Sequence, residues 1–471
     1  MSTPELESLP KSQGIEGRID FPIGFPIAEP VGETGLLFAF SAVMFQLGLA
    51  LVSFEQVRPF FDIQVSDYFF FLSLLLFMSR PKSRLLEARR SGILLAGSLI
   101  LLGALLSLKN ASSWVDVAGP LARLVVLFGW FACLAMIHSK DIRKCILFLI
   151  GGIFVNCSIA LLQSWVYPGI VEALSINAIH PDLGADGGRL QGLTSHPNVL
   201  GFCAALAVLL GLEMSTLEMG RRIRPWLAIQ VFVCALAALL SGSRTFFAAL
   251  VPGLLVFVLL QKRHLRAILR PVVALALLWA ALAYFAPSTV SEYSERLGST
   301  SADFAPDYSR LVSAALTVED ISEKPILGWG IDHFEDAGLW LNPVGELAGV
   351  HNSFLKYWYG AGLLGAAGFL AVFVLPARQV VRVLRSRPAE ARRGILCMAL
   401  SCYVLLFIVS NVAPIVYNRF LYVPIFMFAG FSQSALGPDK TRTRQREPAA
   451  NRPLLPGGNR RSEPGLASLH G

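Results

Sequence analysis

Apolar runs long enough to cross a lipid bilayer recur along almost the whole chain, and no other feature constrains its fold so tightly. Twelve are legible, at about 35–54, 64–79, 91–108, 121–138, 145–167, 197–215, 225–241, 245–261, 268–286, 353–376, 395–412 and 415–435. Runs of about 17–25 residues span the hydrocarbon core as helices, which satisfy their own backbone hydrogen bonds there. The expected fold is an all-α integral membrane protein of about 12 transmembrane helices, with one large, partly helical outer loop. Composition agrees: 54% of the 471 residues are hydrophobic, 15% are charged, and the mean hydropathy is +0.59.

The net charge of +8 would suit nucleic acid, but its distribution argues for a membrane. About 30 of the 40 Lys and Arg fall in alternate connections and at the two termini: RPKSRLLEARR (80–90), SKDIRK (139–144), GRRIR (220–224), QKRHLRAILR (261–270), ARQVVRVLRSRPAEARR (377–393) and the tail after Pro438. This positive-inside pattern predicts cytoplasmic termini and places the two longest loops, about 168–196 and 287–352, outside. Three parts follow: a cytoplasmic segment 1–34, a polytopic domain 35–435, and a basic tail 436–471 whose Pro, Gly and Arg content predicts disorder beside anionic lipid. Residues 1–34 lack an apolar core followed by a cleavage site, so the first helix is expected to remain as an anchor.

The seven cysteines all fall in or beside predicted helices, which implies no disulfide framework and no CxxC zinc site. The chain has no phosphate-binding loop, no dinucleotide fingerprint and no repeat of about 20–50 residues.

Polar residues at a membrane boundary carry the functional signal, and four groups lie on the outer side. GGRLQGLTSHPNVLG (187–201) holds Arg189 in a glycine-flanked loop, and His196-Pro197-Asn198 starts a helix with Pro at its first position. LLSGSRTFFAAL (239–250) joins two apolar blocks through Ser243 and Arg244; an Arg at that depth either pairs with an anion or snorkels to headgroups. In the long outer loop, Tyr308–Ile321 has helical apolar spacing with Arg310 in its first turn, and Pro325–Gly330 turns the chain. The His and carboxylates of these loops match no metal-ligand spacing. Finally, GVHNSFLKYWYG (349–360) puts Asn352 at the N-cap of the next helix. The adjacent His351 feels the positive end of the helix dipole, which favours neutral imidazole. It either serves as a general base or only bonds loop backbone.

The ordered set resembles the O-antigen ligase and polymerase superfamily: GR-x-x-G-x-x-x-HPN, SR at a tight turn, an Arg-started amphipathic helix, P-I-L-G-x-G-x-x-x-F, then HN-x-F-L. The resemblance runs from about Gly188 to Leu370, through Gly188, Arg189, Gly192, His196, Pro197, Asn198, Ser243, Arg244, Arg310, Pro325, Gly328, Gly330, Phe334, His351 and Asn352. It implies a multi-helix glycosyltransferase of the GT-C type at the periplasmic face of the bacterial inner membrane. Its large loop would be periplasmic, its reaction would invert the anomeric centre, and no metal or cofactor is implied. The donor would be a glycan on undecaprenyl diphosphate, and the acceptor would be lipid A-core or a growing polysaccharide chain. In that setting Arg244 and Arg310 would steady the leaving diphosphate and His351 would deprotonate the acceptor. Arg189, His196, Asn198, Ser243, Asn352 and Lys356 would bind substrate. Lys356 departs from the pattern, since many relatives carry an acid there; it either adds positive charge or snorkels. Ligases and polymerases share these motifs, and the long termini tilt the reading towards an O-antigen or exopolysaccharide polymerase. The rival is a twelve-helix secondary transporter or flippase, which would want midplane charges and symmetric halves. The apolar blocks are nearly charge-free.

Overall fold

The computed structural model describes residues 33–59, 63–78, 92–167, 169–176, 190–217, 223–261, 306–341 and 347–434, with isolated positions between 273 and 291. The segment 1–32, Gly188, Arg189, most of the apolar block 268–286 and the basic tail lie outside these residues.

The described chain is mainly helical: α1 Glu33–Ala50, α2 Val65–Met78, α3 Gly92–Ser107, α4 Trp114–His138, α5 Ile142–Trp165, the short α6 Ile170–Leu174, α7 Pro197–Thr216, α8 Arg224–Leu240, α9 Arg244–Leu260, α10 Pro306–Glu323, α11 Ser353–Arg385, α12 Glu390–Val412 and α13 Arg419–Ser434. Helices lie, among the described residues, at eleven of the twelve predicted blocks. Among the described residues, six helices are long and apolar enough to cross a membrane: α4, α5, α7, α11, α12, and α3 with its extension to Asn110. Four shorter apolar helices, in α1, α2, α8 and α9, accompany them. The only strands among the described residues are β1 Trp340–Leu341 and β2 Leu347–Ala348, an antiparallel pair.

Small residues set the closest helix contacts, as expected where lipid and side chains are equally apolar. A Cβ on Gly103 of α3 would lie 2.6 Å from Ala361 O, and one on Gly368 of α11 would lie 2.8 Å from Ala96 O. The two helices therefore pack backbone to backbone along their length. Glu213, fully buried near the end of α7, accepts a hydrogen bond from Ser401 of α12.

Connections from distant parts of the sequence meet at one end of the bundle. Gln56 N donates to Leu193 O and Arg58 N to Ile176 O, which joins the α1–α2 connection to the segments flanking 177–189. Asn110 Nδ2 donates to Gly328 O, and Ser112 donates through N and Oγ to Asp332 Oδ2. Arg382 and Arg385 of α11 and Arg392 and Arg393 of α12 occupy the helix ends away from this assembly.

The turn Pro325–Gly330 is stitched into α11. Trp329 N donates to Tyr359 O, Gly330 N to Gly360 O, and Leu363 N to Ile326 O. α11 breaks at Gly362 (φ +65°) to release those groups, and Gly328 (φ +73°) and Gly330 (φ +122°) adopt backbone that disfavours a side chain. This is the physical content of P-I-L-G-x-G: the two glycines let one chain lie against another's backbone.

Candidate active site at the loop end of the bundle

α11 enters the site through its N-cap. Asn352 Oδ1 accepts from Leu355 N at 3.1 Å, as its side chain and position predict. Ser353 is fully buried; its Oγ donates to Ala413 O and accepts from Ile415 N, both at 2.9 Å. One turn later Tyr357 Oη donates to Val416 O. The helix start is thereby clamped to the α12–α13 connection, and His351 is held beside it.

α7 enters in the same manner. His196 is its N-cap: Nδ1 accepts from Asn198 N at 3.1 Å, with Pro197 following at the first helical position. The imidazole is exposed, with Nδ1 engaged as an acceptor. Two buried side chains fix this entry. Asn156 of α5 donates to Ser53 O and accepts from Leu193 N, each at 2.8 Å. Glu55, 1% exposed, accepts from Ser195 N at 3.0 Å and Ser195 Oγ at 2.5 Å through Oε2, and from Asn418 Nδ2 through Oε1.

Arg244 is the first residue of α9, half-buried after a turn in which Gly242 has φ +65°. Ser243 is buried and shares a 2.7 Å hydrogen bond with Thr245. Its Cβ and Oγ lie where a side chain on Gly201 would stand, 2.6 Å from the position of that absent Cβ. Gly201 therefore brings the Ser243–Arg244 turn against the N-terminal part of α7.

Arg310 sits in α10, which has small polar residues on its inner face. Ser313 and Thr317 are fully buried, Trp340 Nε1 donates to Ser313 Oγ at 3.0 Å, and Gly338 (φ +59°) packs against Ser313 O. Trp329 Nε1 donates to Asp320 O at 2.9 Å and holds the far end of the helix to the stitched turn.

These elements converge on His351. Burial, then the nearby charges of Arg310, Lys356 and His196, push its imidazole down to about 4. The ring is therefore neutral at neutral pH, and neither of its nitrogens is hydrogen-bonded to another described residue. The three perturbing groups come from α10, α11 and the start of α7. Lys356 does not reach towards headgroups: its side chain is 3% exposed and Nζ lies 2.5 Å from Glu335 Oε2. Nearby, burial pushes Asp332 up, but the hydrogen bonds from Ser112 more than offset it, and its carboxyl sits below the usual range.

Of the residues expected from sequence, His351, Arg310, Lys356 and His196 come together. Ser243 and Arg244 join through Gly201, Asn352 and Asn198 shape the two helix starts, and Arg189 lies outside the described residues. Sequence reasoning missed Glu55, Asn156 and Asn418, which lie in no motif and act through partners distant in the chain, and it read Glu335 only among the loop carboxylates.

Residues 229–370 match the family model for O-antigen ligases. The match covers 142 of the 471 residues and marks a likeness to the O-antigen ligase family. No curated protein matches the chain. The O-antigen ligase region contains Ser243, Arg244, Arg310, His351, Asn352 and Lys356, together with the stitched turn. His196, Asn198 and Glu55 precede it, and the α12–α13 connection follows it, so the site is completed by chain on both sides of the matched segment. The likeness supports an O-antigen ligase or polymerase type of function in general.

Proposed function

We propose that the protein transfers a glycan from undecaprenyl diphosphate to an acceptor hydroxyl, with inversion, at the periplasmic face of the inner membrane. The observation that carries this reading is the half-buried, neutral His351 set among Arg310, Lys356 and His196. The acceptor oxygen attacks the anomeric carbon while its proton passes to a ring nitrogen of His351. The bond from that carbon to the diphosphate oxygen breaks, and undecaprenyl diphosphate leaves with the electron pair. Arg310 and Arg244 meet the charge that grows on the departing oxygens, since guanidinium matches phosphate in a two-pronged fashion. Arg189 belongs to the same proposal, as a further cation on the outer loop. The site lies at the end of the bundle opposite the basic segments, which supports the periplasmic assignment. The acceptor is either a second lipid-linked chain or lipid A-core.

The test is reconstitution in liposomes with a lipid-diphosphate glycan and each acceptor in turn. Transfer to one acceptor, abolished in His351→Ala and Arg244→Ala proteins that still insert, is the expected result. Transfer to neither overturns the reading. Movement of the lipid-linked glycan across the bilayer without transfer would favour a flippase.

A further inference from the structure

Glu55 stands outside the matched family segment and outside every motif legible in the sequence, yet both its oxygens are engaged at the loop end. It lies in the α1–α2 connection, 1% exposed, with both oxygens used. One oxygen takes the backbone N–H and the hydroxyl of Ser195, the residue immediately before His196. The other takes Asn418 Nδ2. Asn418 belongs to the same short connection that receives Ser353 Oγ at Ala413 and Tyr357 Oη at Val416. A chain of direct bonds therefore runs from His196 through Ser195, Glu55 and Asn418 to the segment that clamps the start of α11, where His351 sits.

A buried carboxylate is costly to desolvate unless its lone pairs are filled, so a site as fully occupied as this one is held rigidly. The two histidines sit on helix starts 155 positions apart in the sequence, with no direct bond between them among the described residues. We infer that Glu55 is a positioning residue, a strut that fixes the His196 end of the site relative to the His351 end for the transfer reaction. The inference rests on the proposed function for its kinetic readout and on hydrogen bonding alone for its structural one. Because effective alignment of reacting groups is worth orders of magnitude in rate, a small shift between the two ends should appear in turnover more than in donor binding.

The experiment uses the full-length protein in proteoliposomes. Asn418→Asp sets a second carboxylate against Glu55, while the double variant Glu55→Gln, Asn418→Asp restores a matched pair. In that pair the amide introduced at position 55 donates to the carboxylate introduced at position 418, and its carbonyl still accepts from Ser195. Two readouts are taken: kcat and KM per folded molecule, and hydrogen exchange of the peptide covering 190–198. The expected result is that Asn418→Asp lowers kcat about tenfold or more with little change in donor KM. It also speeds exchange at 190–198, and the double variant recovers both. Unchanged kcat per folded molecule in Asn418→Asp, or failure of the double variant to recover it, overturns the positioning role. If wild-type protein transfers no glycan to either acceptor, the functional reading fails instead. The exchange measurement then still decides the strut: unaltered exchange in Asn418→Asp overturns it.

Discussion

Lys356 Nζ lies 2.5 Å from Glu335 Oε2, with the lysine side chain 3% exposed and the glutamate 77% exposed. The pair is asymmetric: the cation is committed to the interior, and its counter-charge reaches in from water. In the proposed transfer, the diphosphate would exchange with Glu335 for the ammonium.

Replacing Glu335 by Gln leaves a buried ammonium without its charge partner. Breaking a buried pair costs about 3–5 kcal/mol, and the exposure of the glutamate reduces this to about 1–2 kcal/mol. Denaturation midpoints in detergent should fall by that amount in Glu335→Gln. Adding Lys356→Met should regain most of it while lowering transfer, because the volume returns and the charge does not.

The pH dependence follows from His351. Its imidazole titrates at about 4 in the fold, against about 6.5 in an unfolded chain. Between those values the unfolded state binds more protons, so stability rises with pH across that window and falls as the medium is acidified towards pH 4. His351→Asn should flatten this slope in a series of unfolding midpoints. In kinetics, the acid limb of kcat/KM should lie near pH 4 and that of kcat higher, since bound diphosphate offsets the cations that depress the ring. Arg310→Met should move the first limb upward.

Gly201 is where α7 and the Ser243–Arg244 turn meet, with 2.6 Å between its missing Cβ and Ser243. Gly201→Val should push that turn away and cost about 1–3 kcal/mol in packing. Transfer per folded molecule should drop about tenfold or more, because the proposed mechanism needs Arg244 at the leaving diphosphate. A transfer assay normalised to folded protein checks this.

Gly362 combines φ +65° with a missing Cβ only 2.1 Å from Ile326 O. Gly362→Ala should cost about 3 kcal/mol or more through strain and collision together. The expected outcome is loss of folded protein in a membrane fraction, in contrast to Gly119→Ala, where no atom lies within 4 Å of the new Cβ.

The helical spans were legible because hydrophobic length needs no partner to be read: the edges expected for α7, α8 and α9 fall within about two residues of those observed. The helix starts at Pro197 and Ser353 were legible for a related reason, since capping is a local exchange of hydrogen bonds. Lys356 was only half legible. Its place on α11 follows from the sequence, but whether it points to headgroups or to Glu335 depends on a loop 21 residues earlier. Glu55 was not legible at all. Its partners, Ser195 and Asn418, lie 140 and 363 residues away, and no period or motif encodes such a meeting.

Between α10 and α11 the chain is pinned twice, once where Pro325–Gly330 joins the broken ladder of α11 and once where Trp340 pairs with Ala348. One residue added between Pro325 and Gly330 would slip three backbone bonds at once. Any change of length in this connection must therefore be absorbed outside that seam.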